Sequence, residues 1–448
     1  MKGLDGGVGA SLGSSSELML QLVQSSKIFE VMRGPIIPGR RASSYGECAW
    51  GETESCALSS LGNVTRISTG DKFPETQCIF GDPYYFDVHK GGDGSKLMVY
   101  FQGGGACWDF ASVEYTRIME KIDISLASCH PTIYSDPGAE GIFGSNDENP
   151  FLDYTIVQVG YCSGDVHFGD VTRYGVTQAG YKNAMAVLSW VVEQQASNEL
   201  PETIDELVIA GSSAGSMGAQ LWAKNVTQLI PAEHVTLLFD SYVGVFPPED
   251  EGRTFQGYGM CPYLVTSELR DVCDAGNLSL QMVTKTQLDE IPEARAAFIQ
   301  AKNDSVQTVF YDAVLFTDDP ALAAACVLKR ECRDDAIDPS TFYANTQSIL
   351  EYYNVSSDRA GGDAVTFFVN SDHHIYFTAD EHFYNTTTRG TSLSYFGTLA
   401  PWIASLLPSS ANLTREQCYG ALAQPSTSSG LDYCDTNLAE RLTPPPPS

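Results

Sequence analysis

The sequence predicts an α/β protein with a mainly parallel central sheet flanked by helices. Short apolar runs rich in β-branched and aromatic residues recur along the chain, bounded by Gly, Asp or Asn. A helical pattern separates two of these runs, and a strand–helix–strand succession at this spacing indicates a right-handed crossover between parallel strands. The runs are also apolar almost throughout, which is typical of strands that are covered on both faces.

Five segments are predicted as buried strands because of this near-continuous apolar composition. They are Lys96–Phe101, residues 154–159, 207–210 and 235–239, and Val365–Val369. Residues 177–194 are predicted as a helix, since apolar residues recur there every three or four positions. A second helix is expected after the glycine-rich segment that begins at Gly211, ending near Leu229. Residues 309–316 (VFYDAVLF) are predicted as a further strand.

The chain of 448 residues is expected to form one long domain with loop insertions. Residues 1–45 are Gly/Ser-rich and predict a flexible lead-in, residues 46–440 the single α/β domain, and residues 441–448 a Pro-rich tail. The formal net charge of −30 opposes binding to nucleic acid or to anionic lipid surfaces. No apolar run approaches the roughly 18 residues that span a bilayer, so membrane insertion is not expected.

Cysteine and asparagine usage indicates the secretory pathway. The 12 Cys are an even number, and three close pairs in polar sequence predict local disulfides: Cys48/Cys56, Cys261/Cys273 and Cys326/Cys332. Seven of the 14 Asn begin an N-x-S/T sequon: Asn63, Asn225, Asn277, Asn303, Asn354, Asn385 and Asn412. The N-terminal sequence shows no signal peptide, because it lacks a contiguous apolar region. We nevertheless expect an extracellular glycoprotein.

A nucleophile motif follows the apolar run at residues 207–210. Residues 211–215 read GSSAG, which is G-x-S-x-G centred on Ser213, with a strand before it and a helix after it. The flanking glycines are needed because side chains would clash in so sharp a turn. Such a turn exposes the serine hydroxyl and places the N–H of Ala214 at the positive end of the helix. The sequence therefore predicts a serine nucleophile.

A second glycine-rich loop comes earlier in the chain. Residues 102–108 (QGGGACW) follow the strand Lys96–Phe101, where serine hydrolases of this type place further oxyanion donors. A phosphate cradle is the alternative, but no Lys follows and no G-x-G-x-x-G is present. No metal site and no cofactor are predicted, since no tight Cys or His spacing occurs.

The remaining catalytic groups are less well defined by sequence. His373 and His374 follow the late strand Val365–Val369, where the chain order Ser, Asp, His places the base. We favour His373, with His374 as the alternative, and His167 as a neighbour of the site. The acid is expected after the strand predicted at residues 309–316. Asp318 is the first candidate, Asp319 the second, and Asp240 a further alternative.

Four ordered motifs resemble the pectin acetylesterase/Notum family of secreted serine carboxylester hydrolases. They are GGGAC at residues 103–107, GYCSGD at 160–165, GSSAG at 211–215 and FDS at 239–241, within a similarity over roughly residues 75–405. The resemblance implies an α/β-hydrolase fold and Ser213 as nucleophile. It also implies the backbone amides of Gly104, Gly105 and Ala214 as oxyanion hole, with Asp318 and His373 as acid and base.

Three functions follow as hypotheses. The first is removal of O-acetyl groups from a polysaccharide through an acyl-serine intermediate. The second is Notum-like removal of a fatty acyl group from a protein. The third is a catalytically silent hydrolase fold that binds a ligand, against which the intact Ser213 motif argues. An acetyl group needs a small acyl pocket, whereas a lipid acyl group needs a deep apolar one.

Overall fold

The structure is a computed structural model. It describes residues 46–51, 54–92, 94–121, 127–133, 140–315, 337–354, 359–362, 364–387, 390–391 and 398–408. Both the lead-in at residues 1–45 and the Pro-rich tail at 441–448 lie outside these ranges. No helix in these ranges has both the length and the apolar character needed to cross a bilayer.

The described part contains a nine-stranded sheet. Its strands are β1 (Gly46–Ala49), β2 (Val64–Ser68), β3 (Tyr85–His89), β4 (Lys96–Phe101), β5 (Thr155–Val159), β8 (Ile204–Ser212), β9 (Ala232–Asp240), β10 (Arg295–Ala301) and β11 (Val365–Val369). Two short hairpins join β6 (Val171–Arg173) to β7 (Val176–Gln178) and β12 (Thr386–Thr387) to β13 (Gly390–Thr391). The strand order is β1-β2-β3-β5-β4-β8-β9-β10-β11. Only β3 runs antiparallel to its neighbours, so the mainly parallel sheet is confirmed.

Helices surround this sheet. In the described ranges the α-helices are α1 (Phe110–Met119), α2 (Gly180–Ala196), α3 (Ala214–Leu229), α4 (Glu251–Gly257), α5 (Ser267–Asp274), α6 (Leu280–Glu290), α7 (Ser305–Leu315), α8 (Pro339–Asn354), α9 (Asp380–Asn385) and α10 (Leu399–Ala404). Single 3-10 turns lie at Leu58–Ser60, Gly141–Phe143 and Cys261–Tyr263. Both helices predicted from sequence are present, as α2 and α3.

The central strands are buried on both faces, which explains their continuous apolar sequence. In β4, Val99 and Phe101 belong to one core cluster, whereas Met98 and Tyr100 belong to the cluster on the opposite face. Alternate residues of a strand point to opposite faces, so only an apolar run can fill both cores. All five predicted buried strands are therefore found, with longer ends for β8 and β9.

One predicted strand is wrong. Residues 309–315 of the VFYDAVLF run belong to helix α7, and the strand that precedes this helix is β10. A short apolar run fits either a strand or one buried face of a helix, so its pattern alone does not separate the two. The side chain of Asp304 accepts hydrogen bonds from the backbone N–H groups of Val306 and Gln307, which caps the helix at its start.

Four disulfides lie in the described residues. Two are the predicted local pairs Cys48–Cys56 and Cys261–Cys273. The other two, Cys78–Cys162 and Cys107–Cys129, join positions that the sequence does not pair, across separations of 84 and 22 residues. The predicted pair Cys326/Cys332 lies outside the described residues. These disulfides fit an oxidising compartment.

Candidate active site

Ser213 lies at a sharp turn between β8 and α3. Its backbone φ of 57° is in the left-handed region, which a residue with a side chain adopts only where the surroundings enforce it. The turn also brings α3 against β4, because a Cβ at Gly215 would lie 1.9 Å from the carbonyl oxygen of Phe101. Glycine is therefore required here, and the G-x-S-x-G motif forms the strand–turn–helix predicted for a nucleophile.

The glycine-rich loop after β4 packs against this turn. Gly105 has φ of 70°, and a Cβ there would lie 2.1 Å from the carbonyl oxygen of Ser128. On either side, the carbonyl of Gly104 and the N–H of Ala106 are used by hydrogen bonds to residues 130 and 128. Among the described residues, no partner is found for the N–H groups of Gly104, Gly105 and Ala214. These three N–H groups remain able to bind an oxyanion.

An acid–histidine pair stands at the ends of β10 and β11. His374 Nδ1 lies 2.8 Å from Oδ2 of Asp304. Burial lowers the pKa of His374, but the charge and the hydrogen bond of Asp304 outweigh burial and raise it above its ordinary value. His374 Nε2 is buried without a partner in the described part of the chain. This nitrogen is therefore able to take a proton from a neighbouring hydroxyl.

Asp304 itself is held firmly. Its carboxylate accepts hydrogen bonds from the backbone N–H groups of Val306 and Gln307 at 3.0 and 2.9 Å. The side chain of Gln307 donates to Oδ2 at 2.8 Å and also to the carbonyl of Ser241. Asp304 therefore fixes both the start of helix α7 and the imidazole of His374.

The loop that carries His374 is fixed by the residues at the end of β9. Ser241 Oγ accepts the N–H of Ile375 at 2.9 Å, and Asp240 Oδ2 accepts the N–H groups of Tyr376 and Phe377 at 2.7 and 3.0 Å. Asp240 is fully buried, and burial raises its pKa. Asp240 therefore contacts the backbone of this loop, whereas Asp304 contacts the imidazole of His374. The FDS motif thus serves the histidine loop.

The two adjacent histidines have different surroundings. His373 stacks on His382 with ring centroids 3.6 Å apart, and its pKa is lowered by burial and by the neighbouring histidines. His374 lines the pocket that also contains Ser213, whereas His373 is not among its lining residues. His167 is buried and donates from Nε2 to the carbonyl of Gln102 at 2.7 Å, so it supports the glycine-rich loop from behind. Burial lowers its pKa to about 4.

The sequence favours other carboxylates than Asp304 as the acid. Asp318 and Asp319 lie outside the described residues, and the strand that was expected to precede them is a helix. Asp304 was missed, although it follows the apolar run AAFIQA at residues 296–301 and precedes a helical pattern. That position after a strand was the available signal. The Ala-rich composition of β10, weak in strand propensity, obscured it.

A pocket with a cavity volume of about 60 Å³ lies beside Ser213. Polar groups enter it from Gln307, Tyr242 and His374. Its walls are otherwise mainly apolar: Ala106, Trp108, Val166, Met217, Phe246, Phe255, Val306, Phe310 and Val314. Such a cavity suits an apolar group attached to a carbonyl at Ser213.

One cluster in the described residues has the spacing of a metal site. Cys48, Glu54 and Cys56 place donor atoms within 4.8 Å of one another. The two sulfurs are joined in a disulfide, so they cannot act as thiolate ligands.

The chain is similar to proteins of known family and to a solved structure. Residues 67–257 match the pectinacetylesterase family model. The chain is 25% identical over 158 residues to pectin acetylesterase 11 of Arabidopsis thaliana, an alignment covering 34% of this chain and 39% of that protein. It is also similar to the crystal structure of the Wnt deacylase Notum from Drosophila, with a TM-score of 0.50 and 16% identity, covering 76% of this chain and 92% of that one. The structural likeness shows the α/β-hydrolase fold.

Proposed function

We propose that the protein is a serine carboxylester hydrolase, a proposal supported by the match of residues 67–257 to the pectinacetylesterase family model. The observation that carries this proposal is the meeting of two groups in one pocket. Ser213, on its sharp turn, and His374, bound to Asp304, both line it. We assign the roles of nucleophile, base and acid to Ser213, His374 and Asp304. His374 replaces His373 and Asp304 replaces Asp318 in this assignment.

The mechanism follows from these positions. Nε2 of His374 takes the proton of the Ser213 hydroxyl while the serine oxygen attacks the ester carbonyl. The N–H groups of Gly104, Gly105 and Ala214 bind the developing oxyanion. The bond to the alcohol then breaks, the alcohol leaves with the proton from His374, and an acyl-serine remains. Water attacks this acyl-serine with His374 as base, which releases the acid and restores Ser213.

Serine and histidine substitutions test this assignment. Ser213→Ala is expected to abolish hydrolysis of p-nitrophenyl acetate, with circular dichroism unchanged. Ser189→Ala is the matched control, because its hydroxyl bonds only within helix α2, to the carbonyl of Met185. His374→Ala is expected to lose far more activity than His373→Ala. Turnover that survives Ser213→Ala would refute the proposal.

For the substrate, we propose the O-acetyl groups of a polysaccharide. The relative with 25% identity is named a pectin acetylesterase, which supports this class. Polygalacturonate is anionic, and a chain with a net charge of −30 repels it within the Debye length. Neutral or partly esterified glycans are therefore the better substrates.

A second candidate, removal of a fatty acyl group from a protein, is favoured by the apolar walls of the pocket. Acetate and octanoate esters of p-nitrophenol separate the two candidates. A higher kcat/KM for acetate supports the acetylesterase, and a clear preference for octanoate supports the deacylase. A silent binding protein would hydrolyse neither ester.

We also propose that the protein is secreted and glycosylated. Asn63, Asn277 and Asn385 are exposed and thus open to an oligosaccharide. Asn303 is buried beside Asp304, and the side-chain amide of Asn354 bonds the backbone of residue 364, so neither suits a glycan. Peptide mapping after enzymatic removal of N-glycans is expected to mark the first three asparagines.

A further inference from the structure

Two large aromatic side chains form an exposed pair. Phe110 is the first residue of α1, and Tyr174 lies at the turn between β6 and β7. Their exposed fractions are 45% and 41%, and their ring centroids lie 6.1 Å apart in an edge-to-face arrangement. Apolar rings in water forgo the free energy that burial would supply, so packing alone does not explain their place.

The backbone at Tyr174 adds an independent observation. Tyr174 and Gly175 have φ of 53° and 70° and form the two-residue turn between the paired residues Arg173 and Val176. Both angles are those of a type I′ turn, in which Asn, Asp or Gly is favoured at the first position because a bulky side chain is disfavoured at positive φ. Local folding therefore does not select tyrosine here.

This aromatic pair adjoins the wall of the pocket that contains Ser213. The guanidinium carbon of Arg173 lies 5.1 Å from the ring centroid of Tyr174 and 5.1 Å from that of Tyr258. Tyr258 lines the pocket, as does Trp108, two residues before Phe110 in the chain. The pair thus extends the pocket wall towards solvent beside the glycine-rich loop.

We propose that Phe110 and Tyr174 form a subsite for a sugar ring of the substrate glycan. A pyranose has an apolar face, which stacks on an aromatic ring, and hydroxyls at its edge, which stay in water. The half-exposed pair beside the Arg173 guanidinium offers both environments, whereas an acyl chain would enter the apolar pocket. This inference rests on the proposed function and concerns the alcohol part of the ester.

Tyr174→Asn and Phe110→Ala test the subsite. Each is expected to raise the KM for acetylated xylan roughly fivefold more than the KM for p-nitrophenyl acetate, since one aromatic contact is lost. Asn suits the type I′ turn, so Tyr174→Asn is expected to keep or raise the melting temperature, which separates lost stacking from misfolding. Tyr352→Ala is the matched control, being 43% exposed on helix α8. It should alter neither KM.

Binding is measured separately from hydrolysis. Unacetylated oligosaccharides of xylan and of polygalacturonate are titrated into the Ser213→Ala protein by calorimetry. Weaker binding of either glycan after Tyr174→Asn or Phe110→Ala supports the subsite. Absence of binding to both glycans, or binding that neither substitution changes, overturns it. Failure of the unaltered protein to hydrolyse p-nitrophenyl acetate instead overturns the proposed function, and calorimetry then still decides on the subsite.

Discussion

Asp304→Asn tests the proposed catalytic acid with the smallest change of shape. The Asp304 carboxylate accepts four hydrogen bonds, from Val306 N, Gln307 N, Gln307 Nε2 and His374 Nδ1. The two backbone bonds reach Oδ1, and an Asn oxygen placed there preserves the cap of helix α7. The new amide nitrogen then occupies the position of Oδ2, where it faces two donors, Gln307 Nε2 and His374 Nδ1.

The size of the effect follows from those two contacts. An amide N–H facing Nδ1 of His374 favours the tautomer with the proton on Nε2, and that nitrogen then cannot accept the serine proton. The same substitution in serine proteases lowers kcat by about 10⁴-fold, and we expect a loss of that order. The buried side-chain amide of Gln307 also loses its acceptor at Oδ2, which costs about 1–3 kcal/mol of folding free energy.

The pH profile gives a second readout. In the unaltered protein Asp304 raises the pKa of His374 against the opposing effect of burial. Without the carboxylate, burial dominates and the pKa falls. His374 acts as base only when neutral, so the acidic limb of kcat/KM should move to lower pH in Asp304→Asn.

The assay compares hydrolysis of p-nitrophenyl acetate by Asp304→Asn, Asp318→Asn and Asp319→Asn. Thermal unfolding of each variant checks that the fold persists at the assay temperature. Near-normal turnover by a folded Asp304→Asn protein, together with loss of turnover in Asp318→Asn, would refute the assignment of Asp304 and restore Asp318.

Three further substitutions probe the framework of the site. Asp240→Asn should lower kcat by about ten- to a hundredfold and reduce stability by about 1–3 kcal/mol. Oδ2 accepts the N–H groups of Tyr376 and Phe377, and Oδ1 accepts the hydroxyl of Ser241, so the amide nitrogen must replace one of these acceptors. A normal kcat would contradict this. Burial raises the pKa of Glu251 to about 8, so its folded form retains a proton that the unfolded chain loses near pH 4.5. The free energy of unfolding should therefore fall as pH rises from about 5 to 8. Glu251→Gln should make the melting temperature less dependent on pH over this range. A melting temperature that depends on pH as strongly as in the unaltered protein would exclude Glu251 as the cause. Gly215→Ala should destabilise the protein and impair hydrolysis, because the new Cβ would lie 1.9 Å from the carbonyl oxygen of Phe101. Thermal unfolding followed by circular dichroism measures the first effect, and turnover of p-nitrophenyl acetate measures the second. A stable and fully active variant would exclude the clash.

Features that depend on neighbouring residues could be predicted from the sequence. Strand β4 can be predicted from its apolar run because a strand buried on both faces needs apolar residues at every position. The turn at Ser213 can be predicted because a strand, a sharp turn and a helix follow one another within a few residues. The nearby cysteine pairs Cys48–Cys56 and Cys261–Cys273 are short-range features of the same kind.

The partners of Ser213 depend on distant parts of the chain. Asp304 and His374 are 70 residues apart and meet because β10 and β11 are adjacent parallel strands. With β10 unrecognised and α7 taken for a strand, the sequence favours an acid after residue 316, with Asp240 as an alternative, and does not point to Asp304. Likewise, nothing local distinguishes His373 from His374. The fold class and the sharp turn at Ser213 were already readable in the sequence, because short-range sterics and burial dictate them. The meeting of Asp304 with His374 in the pocket of Ser213 depends on tertiary structure, since strand pairing places the ends of distant elements side by side.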